Sequence, residues 1–452
     1  MTAVQPTSIQ LSEVVGALSY ALDITEGQPV GHSLRSCWIG MHIGMHLGLP
    51  QAELSDLYYA LLLKDIGCSS NAARICQLYL ADDLSFKAGY KSVDSGLPEI
   101  LRFLLAHTGR DSGIVERLQA MIHIARNGGE ISRELIETRC QRGAEIARSM
   151  RFSEAVAQGI LDLDEHWDGT GQPMGLAGQR ISLFGRIALM AQVADVFFIR
   201  GGAAGAIAEV TSRAGRWFDP ELAAALQDLG QDQQFWAPLL ANDLHVRVVD
   251  LEPRSLVREV DEDYLDDIAA GFARVVDAKS PFTAGHSDRV ALFADLIAEE
   301  LGYSADRRRW IRRAALLHDI GKLGVSNSVL DKNGKLDDAE WASIKRHPGL
   351  GRTILSKISA LRDLATVAGA HHERLDGKGY PDGIKAVEID LDTRIVTTSD
   401  IFDALTADRP YRKAMPVSQA FEIMQRDLGS AIDPVCFAAL QRGFARLETA
   451  AA

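Results

Sequence analysis

Ala315-Leu316-Leu317-His318-Asp319-Ile320-Gly321 reads as the end of an apolar helix that delivers an imidazole and a carboxylate side by side. A matching stretch occurs 254 residues earlier as Leu61-Leu62-Leu63-Lys64-Asp65-Ile66-Gly67, and Gly31-His32-Ser33 answers Gly285-His286-Ser287 at the same offset. Further on, Asp168-Gly169-Thr170-Gly171-Gln172-Pro173 answers Asp376-Gly377-Lys378-Gly379-Tyr380-Pro381 at an offset of 208. Ala194-Asp195-Val196-Phe197 then answers Ser399-Asp400-Ile401-Phe402, and Asp219-Pro220 answers Asp433-Pro434. Five matches in one order mark an internal repeat. The offset falls from 254 to 208, so the first half carries 46 extra residues between its second and third matches.

Between these markers the chain reads as helix almost throughout. Ala, Leu, Arg and Glu dominate, with apolar residues three and four apart, as in Leu292 to Leu301 and Trp310 to Leu317. The expectation is an all-α protein of two homologous domains, 1–245 and 258–446, joined by a linker at 246–257. Leu244 to Leu251 alternates like a strand, and Glu252-Pro253-Arg254-Ser255 then interrupts any periodicity. Asn333-Gly334 signals a turn, and Asp337 with Glu340 forms a capping box that opens a new helix.

The chain has 452 residues, 47% of them hydrophobic and 24% charged, which fits two or three globular domains and rules out wholesale disorder. A net charge of −13 repels nucleic acid and anionic lipid, so neither DNA nor a membrane is expected as a partner. The longest apolar run, Ile187 to Ile199, is interrupted by Gln192 and Asp195 and falls short of the ~18 residues of a membrane span. The first residues, Met-Thr-Ala-Val-Gln-Pro, lack the basic and apolar regions of a signal peptide. Five cysteines without Cys-x-x-Cys spacing read as reduced thiols, and the expected location is cytoplasmic.

The second half holds five histidines, His286, His318, His347, His371 and His372, each beside a distinctive neighbour. Any one alone would pass as an ordinary core or surface histidine. With Asp319 and Asp400 they make seven side chains of the types that ligate Mn, Fe and Zn, with no cysteine nearby to argue for a thiolate site. Seven exceed the needs of one tetrahedral ion and suit two octahedral ions about 3.5–4 Å apart. Asp319 can bridge, because a carboxylate has two oxygens and a neutral imidazole has one free lone pair. Water between two cations is acidified to a hydroxide near neutral pH, and its natural target is a phosphorus centre. Lys322, about one turn past Asp319, can reach a phosphate oxygen, and Arg409 and Arg412 can clamp the same or a second phosphate. Tyr380 lies in a turn-rich loop where it either stacks on a base or anchors the loop. The basic run Arg307 to Arg313 precedes apolar residues on one helix and reads as a solvated helix face.

His318-Asp319-Ile320-Gly321-Lys322 and His371-His372-Glu373-Arg374-Leu375-Asp376-Gly377-Lys378-Gly379-Tyr380-Pro381 resemble the two signatures of the HD-GYP phosphodiesterases. Arg409-Pro410-Tyr411-Arg412-Lys413 resembles the segment that follows in that family, and the likeness runs from about Ala278 to Ala414. It implies two tandem HD-type helical domains, the second of them catalytic. It also implies one ion on His286, His318, Asp319 and Asp400, and another on Asp319, His347, His371 and His372. Some members hold a third ion through a Glu four residues before the first histidine; here that residue is Phe282, so two divalent ions are expected. Fe or Mn is favoured, with Ni or Zn as alternatives, since imidazole–carboxylate sites accept them all. The implied substrate is a cyclic dinucleotide, above all cyclic di-GMP opened to linear pGpG and sometimes cut on to GMP, with 3′3′-cyclic GMP-AMP as competitor. Asp319 and Lys322 carry the catalytic roles in this reading, and the Gly377–Pro381 loop is a docking surface for signalling proteins. Two rival readings stay open: a single-metal HD phosphohydrolase acting on dNTPs or alarmones, and a sensor that binds a cyclic dinucleotide without cutting it.

Carried back through the repeat, His286 falls on His32, Asp319 on Asp65 and Asp400 on Asp195, but His318 falls on Lys64, His371 on Leu163 and His372 on Asp164. His347 falls on Arg139 if the 46-residue insertion precedes it. Cations where metals should sit predict a Lys64–Asp65 or Arg139–Asp164 ion pair and no binuclear site. His42 and His46 are one turn apart and lack a third ligand, so they read as helix-face residues. The degenerate half is expected to hold the active domain in a homodimer, to bind a regulatory ligand, or to bury a face.

Overall fold

Helices begin where short polar side chains fold back onto the chain. Ser182, Ser304, Asp337 and Asp390 each accept a hydrogen bond from an amide of the turn that follows, which satisfies donors a helix start leaves orphaned. At Asp337 the capping box is complete, since Glu340 returns its own side chain to the Asp337 amide. A computed structural model describes residues 10–451 apart from 92, 94–96, 111, 254–257 and 409–411. Among the described residues the fold is helical with only isolated β-bridges and no sheet. The chain divides into two compact units, Met1–Tyr264 and Leu265–Ala452.

In the second unit the helix His286–Glu300 packs on Ala305–Leu317 and on Leu391–Thr406, and His347–Ser356 packs on Leu364–Ala370. The first unit repeats the scheme, with His32–His46 packed on Gln51–Leu63 and on Leu183–Arg213. A close backbone approach fixes the register of the two copies. A Cβ on Gly321 would stand 1.9 Å from the His347 carbonyl oxygen and 2.7 Å from the Gly351 nitrogen. A Cβ on Gly67 would stand at the same distances from the Arg139 oxygen and the Gly143 nitrogen. Arg139 is therefore the counterpart of His347, and the whole insertion lies between Gly67 and Arg139. The inserted helices and the start of the long helix Ile114–Ser149 make a small core of their own from Ile75, Leu78, Tyr79, Phe86, Phe103, Ile124, Ile131 and Leu135.

Three expectations change. Leu244–Val249 is a helix, not a strand: Leu244 and Val248, four apart, are both buried, and that packing overrides the weak helix preference of valine. The expected linker at 246–257 therefore opens inside a packed helix, and residues 254–257 lie outside the described residues. The span Leu183–Arg213, broken by non-helical backbone at Gly202, is by length and composition long and apolar enough to cross a membrane, unlike the interrupted run expected from the sequence. Its buried Gln192 and Asp195 face the interior of the first unit, where it serves as the core helix against His32–His46. The basic run is less solvated than expected. Arg308 pairs with Asp295 and Glu299, Arg312 with Asp295, Arg309 and Arg313 with Asp266, and Arg307 with Asp392.

Candidate metal centre

His286 opens its helix after Gly285, whose φ of +65° is a left-handed conformation that side chains resist. His318 closes the helix Ala305–Leu317, and Asp319 follows it into a tight 3-10 turn at Ile320–Gly324. His347 starts one helix, His371 ends another, and Asp400 projects from the middle of Leu391–Thr406. Five segments thus bring all seven predicted ligand residues together, buried except for the half-buried His372.

The ring nitrogens are already sorted. Nδ1 of His318 donates to the Ala315 carbonyl at 2.6 Å, that of His347 to Ile344 at 2.7 Å and that of His371 to Ala368 at 2.9 Å. Nδ1 of His286 donates to Asp403 at 2.7 Å. Each Nε2 is left to present a lone pair inward. Asp319 divides them. Its Oδ2 lies 3.3 Å from Nε2 of both His286 and His318, while Oδ1 lies 3.3 Å from Nε2 of His347 and 3.6 Å from that of His371. Asp400 joins the first set, 3.5 Å from His286, and His372 groups with His347 and His371.

The fit to cations can be read from what these atoms lack. Nε2 of His286 and of His318 and Oδ1 of Asp319 are buried with no hydrogen-bond partner. Nε2 of His347 faces Nε2 of His371 at 3.2 Å, two lone pairs aimed at each other. Such an arrangement is repulsive unless positive charge lies between the atoms, so the donor set fits metal ions on both sides of Asp319. Charge agrees. Burial works against ionisation of Asp319, but His318 and Lys322 hold it well below the usual carboxylate range, and His318 and His286 likewise lower Asp400. Burial pushes His371 down to about 4 and drives His372 well below its ordinary value, which keeps both neutral as ligands must be. Burial also disfavours the His286 imidazolium, yet the carboxylates of Asp319, Asp403 and Asp400 outweigh it and lift the ring to about 9.

The outer residues divide less cleanly. Lys322 reaches the cluster, ion-paired with Oδ2 of Asp319. Tyr380 stacks on His372, with ring centroids 4.8 Å apart and planes 28° apart, and burial raises its phenol above the ordinary value. Arg412 is a correction: its guanidinium donates to the carbonyls of Ala404, Leu405 and Lys413, so it caps the end of a helix instead of clamping phosphate. Arg409 lies outside the described residues. Sequence reasoning missed Asp403, which accepts from His286 and also pairs with Arg289. The signal was present: Asp400 and Asp403 sit one helical turn apart, as do His286 and Arg289.

The first unit shows the same frame with different contents. His32 Nδ1 meets Asp195 at 2.6 Å and Arg35 pairs with the same carboxylate, which reproduces His286, Arg289 and Asp403. Asp195 is therefore the counterpart of Asp403, and the expectation that it answers Asp400 is corrected: one turn earlier, Gln192 stands in that place. Only His32 and Asp65 survive of the seven. Both predicted ion pairs form, Lys64 with Asp65 and Arg139 with Asp164, and Lys91 adds contacts to Glu26 at 2.7 Å and Asp65 at 3.5 Å. Glu26, Asp65 and Cys68 converge closely enough to suggest a metal, but Lys64 and Lys91 already neutralise them. His42 donates from Nδ1 to the Trp38 carbonyl at 2.8 Å and packs on the Trp38 ring, and among the described residues neither it nor His46 joins a metal-competent group.

An all-helical unit with two histidine sets divided by one aspartate defines a class of HD metal phosphohydrolases. The HD domain family model matches residues 115–222 and 272–436, one stretch in each half of the repeat. The chain belongs to the HD-GYP family of cyclic-dinucleotide phosphodiesterases within that class. It is 53% identical over 440 residues to the 3′3′-cGAMP-specific phosphodiesterase 3 of Vibrio cholerae serotype O1, covering 97% of this chain and 96% of that protein. The cyclic di-GMP phosphodiesterase response regulator RpfG of Xanthomonas campestris pv. campestris is 40% identical over 206 residues, 45% of this chain and 54% of that one. The crystal structure of a cyclic GMP-AMP specific phosphodiesterase from V. cholerae matches with a TM-score of 0.66 at 48% identity, covering 97% of this chain and 98% of that chain.

Proposed function

We propose that the second unit is a metal-dependent phosphodiesterase that opens cyclic dinucleotides in the cytoplasm, with 3′3′-cyclic GMP-AMP preferred over cyclic di-GMP. The observation that carries the reading is the division of Asp319, with one oxygen facing His286 and His318 and the other facing His347 and His371. The preference rests on likeness: the relative that spans both halves is specific for the hybrid nucleotide, whereas the cyclic di-GMP relative matches about half of the chain. Five cysteines outside any disulfide, four of them buried, fit a reducing compartment.

His286, His318, Asp319 and Asp400 would hold one divalent ion, and Asp319, His347, His371 and His372 the other, Fe or Mn in preference to Ni or Zn. Bound there, such ions supply Lewis acidity and an acidified water for attack on phosphorus. The protein's own groups do the rest. Backbone carbonyls and Asp403 hold four imidazoles in the tautomer that leaves Nε2 free. Lys322, released from Asp319 when other positive charge occupies that carboxylate, would be free to meet a phosphate oxygen of the substrate. Tyr380 covers His372 and excludes water from one side of the cluster. Cleavage releases the 3′-oxygen and leaves a linear dinucleotide.

The test is product chromatography. Protein prepared without air is loaded with Mn or Fe(II) and given 3′3′-cyclic GMP-AMP, cyclic di-GMP or a dNTP in separate reactions. A linear dinucleotide formed faster from the hybrid is the expected result. Faster opening of cyclic di-GMP reverses the preference, cleavage of the dNTP alone moves the protein to the single-metal phosphohydrolases, and intact substrates with verified metal leave a sensor.

A further inference from the structure

The short helix Asp338–Lys345 leads into His347, and its capping box, together with the Lys332–Glu340 ion pair, fixes where it starts. Trp341 and Lys345 are four residues apart on it and so share one face. That face looks toward Tyr380: the Trp341 and Tyr380 ring centroids are 6.3 Å apart, and the Lys345 ammonium stands 5.5 Å from the first ring and 5.6 Å from the second. Tyr380 in turn stacks on His372. A run of rings therefore leads from the buried cluster to solvent, its last step edge-on at 68°, and it ends on an indole that is 44% exposed with a cation beside it. A singly exposed apolar side chain is ordinary, so exposure alone would mean nothing. Continuity with the cluster is the independent observation.

We propose that Trp341 and Lys345 form the outer recognition platform of the site, where one purine of the cyclic dinucleotide lies against the indole and Lys345 faces the phosphate that is not being cut. This inference rests on the function proposed above. A cyclic dinucleotide whose scissile phosphate sits at the cluster must carry its second phosphate and its bases outward, and an aromatic ring beside an ammonium meets both chemistries. Stacking accepts any purine face, so the platform sets affinity for two-base substrates and leaves the choice between guanine and adenine to other groups.

The experiment compares wild type with Trp341→Ala, Trp341→Phe and Lys345→Ala, each with its metal content measured. The substrates are 3′3′-cyclic GMP-AMP and the small diester methyl p-nitrophenyl phosphate. Trp341→Ala should raise KM for the cyclic dinucleotide roughly tenfold, as expected for loss of a base–aromatic stack. Its kcat should change by less than threefold, as should turnover of the small diester. Trp341→Phe should restore most of the affinity, and Lys345→Ala should raise KM and flatten its dependence on salt. An unchanged KM in Trp341→Ala beside an active wild type overturns this inference alone. Equal losses on both substrates, or lost metal, assign Trp341 to structural support and overturn it too. A wild type that holds metal but neither binds nor opens any cyclic dinucleotide overturns the underlying function instead.

Discussion

Asp319 has one oxygen for each histidine set, so its removal should cost more than one ligand's worth of metal. Asp319→Ala is expected to abolish turnover and to lose at least one equivalent of metal, measured by elemental analysis after gel filtration. Asp403 does not face the cluster, but it holds the His286 ring and shares its charge with Arg289. Asp403→Asn should weaken metal binding about 10–100-fold in a chelator competition while leaving the folded helix content unchanged. An affinity within twofold of wild type would remove Asp403 from that positioning role. The seven candidate ligand residues were legible because imidazoles and carboxylates gather beside repeated, distinctive neighbours. Asp403 was not, because two aspartates one turn apart look equivalent until folding shows which of them meets a ring nitrogen. The same ambiguity set Asp195 one turn out of place.

At the scale of elements, the site depends on a backbone crossing where Gly321 meets the carbonyl of His347. Gly321→Ala would drive a methyl into that carbonyl, so it should displace His347 and depress metal content and activity together. Gly67→Ala makes the same clash against Arg139 and should lower stability without changing metal content. Thermal melts read alongside elemental analysis separate the two outcomes, and metal loss in both would contradict the division of roles. Helices and caps were largely legible, since polar caps and apolar spacing act locally. Leu244–Val249 was not, because a six-residue helix rich in valine is decided by what it packs against. The insertion point was also hidden: it is fixed by glycine contacts between segments far apart in the chain.

Across the whole molecule, one framework is built twice with two sources of positive charge. In the first unit Lys64, Lys91 and Arg139 are covalently part of the chain. Asp65→Ala there should leave metal content untouched yet destabilise the unit by about 3–5 kcal/mol, because Lys64 would remain buried and unpaired. In the second unit Lys322 is a built-in cation at the cluster, and the rest of the charge has to be acquired. Chelation should therefore remove about 2.7 kcal/mol of stability if metal had been present at a hundred times its Kd. Hydrogen exchange should place that loss in the segments carrying His286 to Asp400 and spare those carrying His32 to Asp195. Loss of protection in both would contradict this account.

The lone pairs of His347 and His371 facing each other at 3.2 Å then take on a different meaning. They are a spring held compressed, cheap to keep when a cation sits between them and costly when none does. Metal shortage would register first as a loosened and protease-sensitive second unit, beside a first unit that never notices.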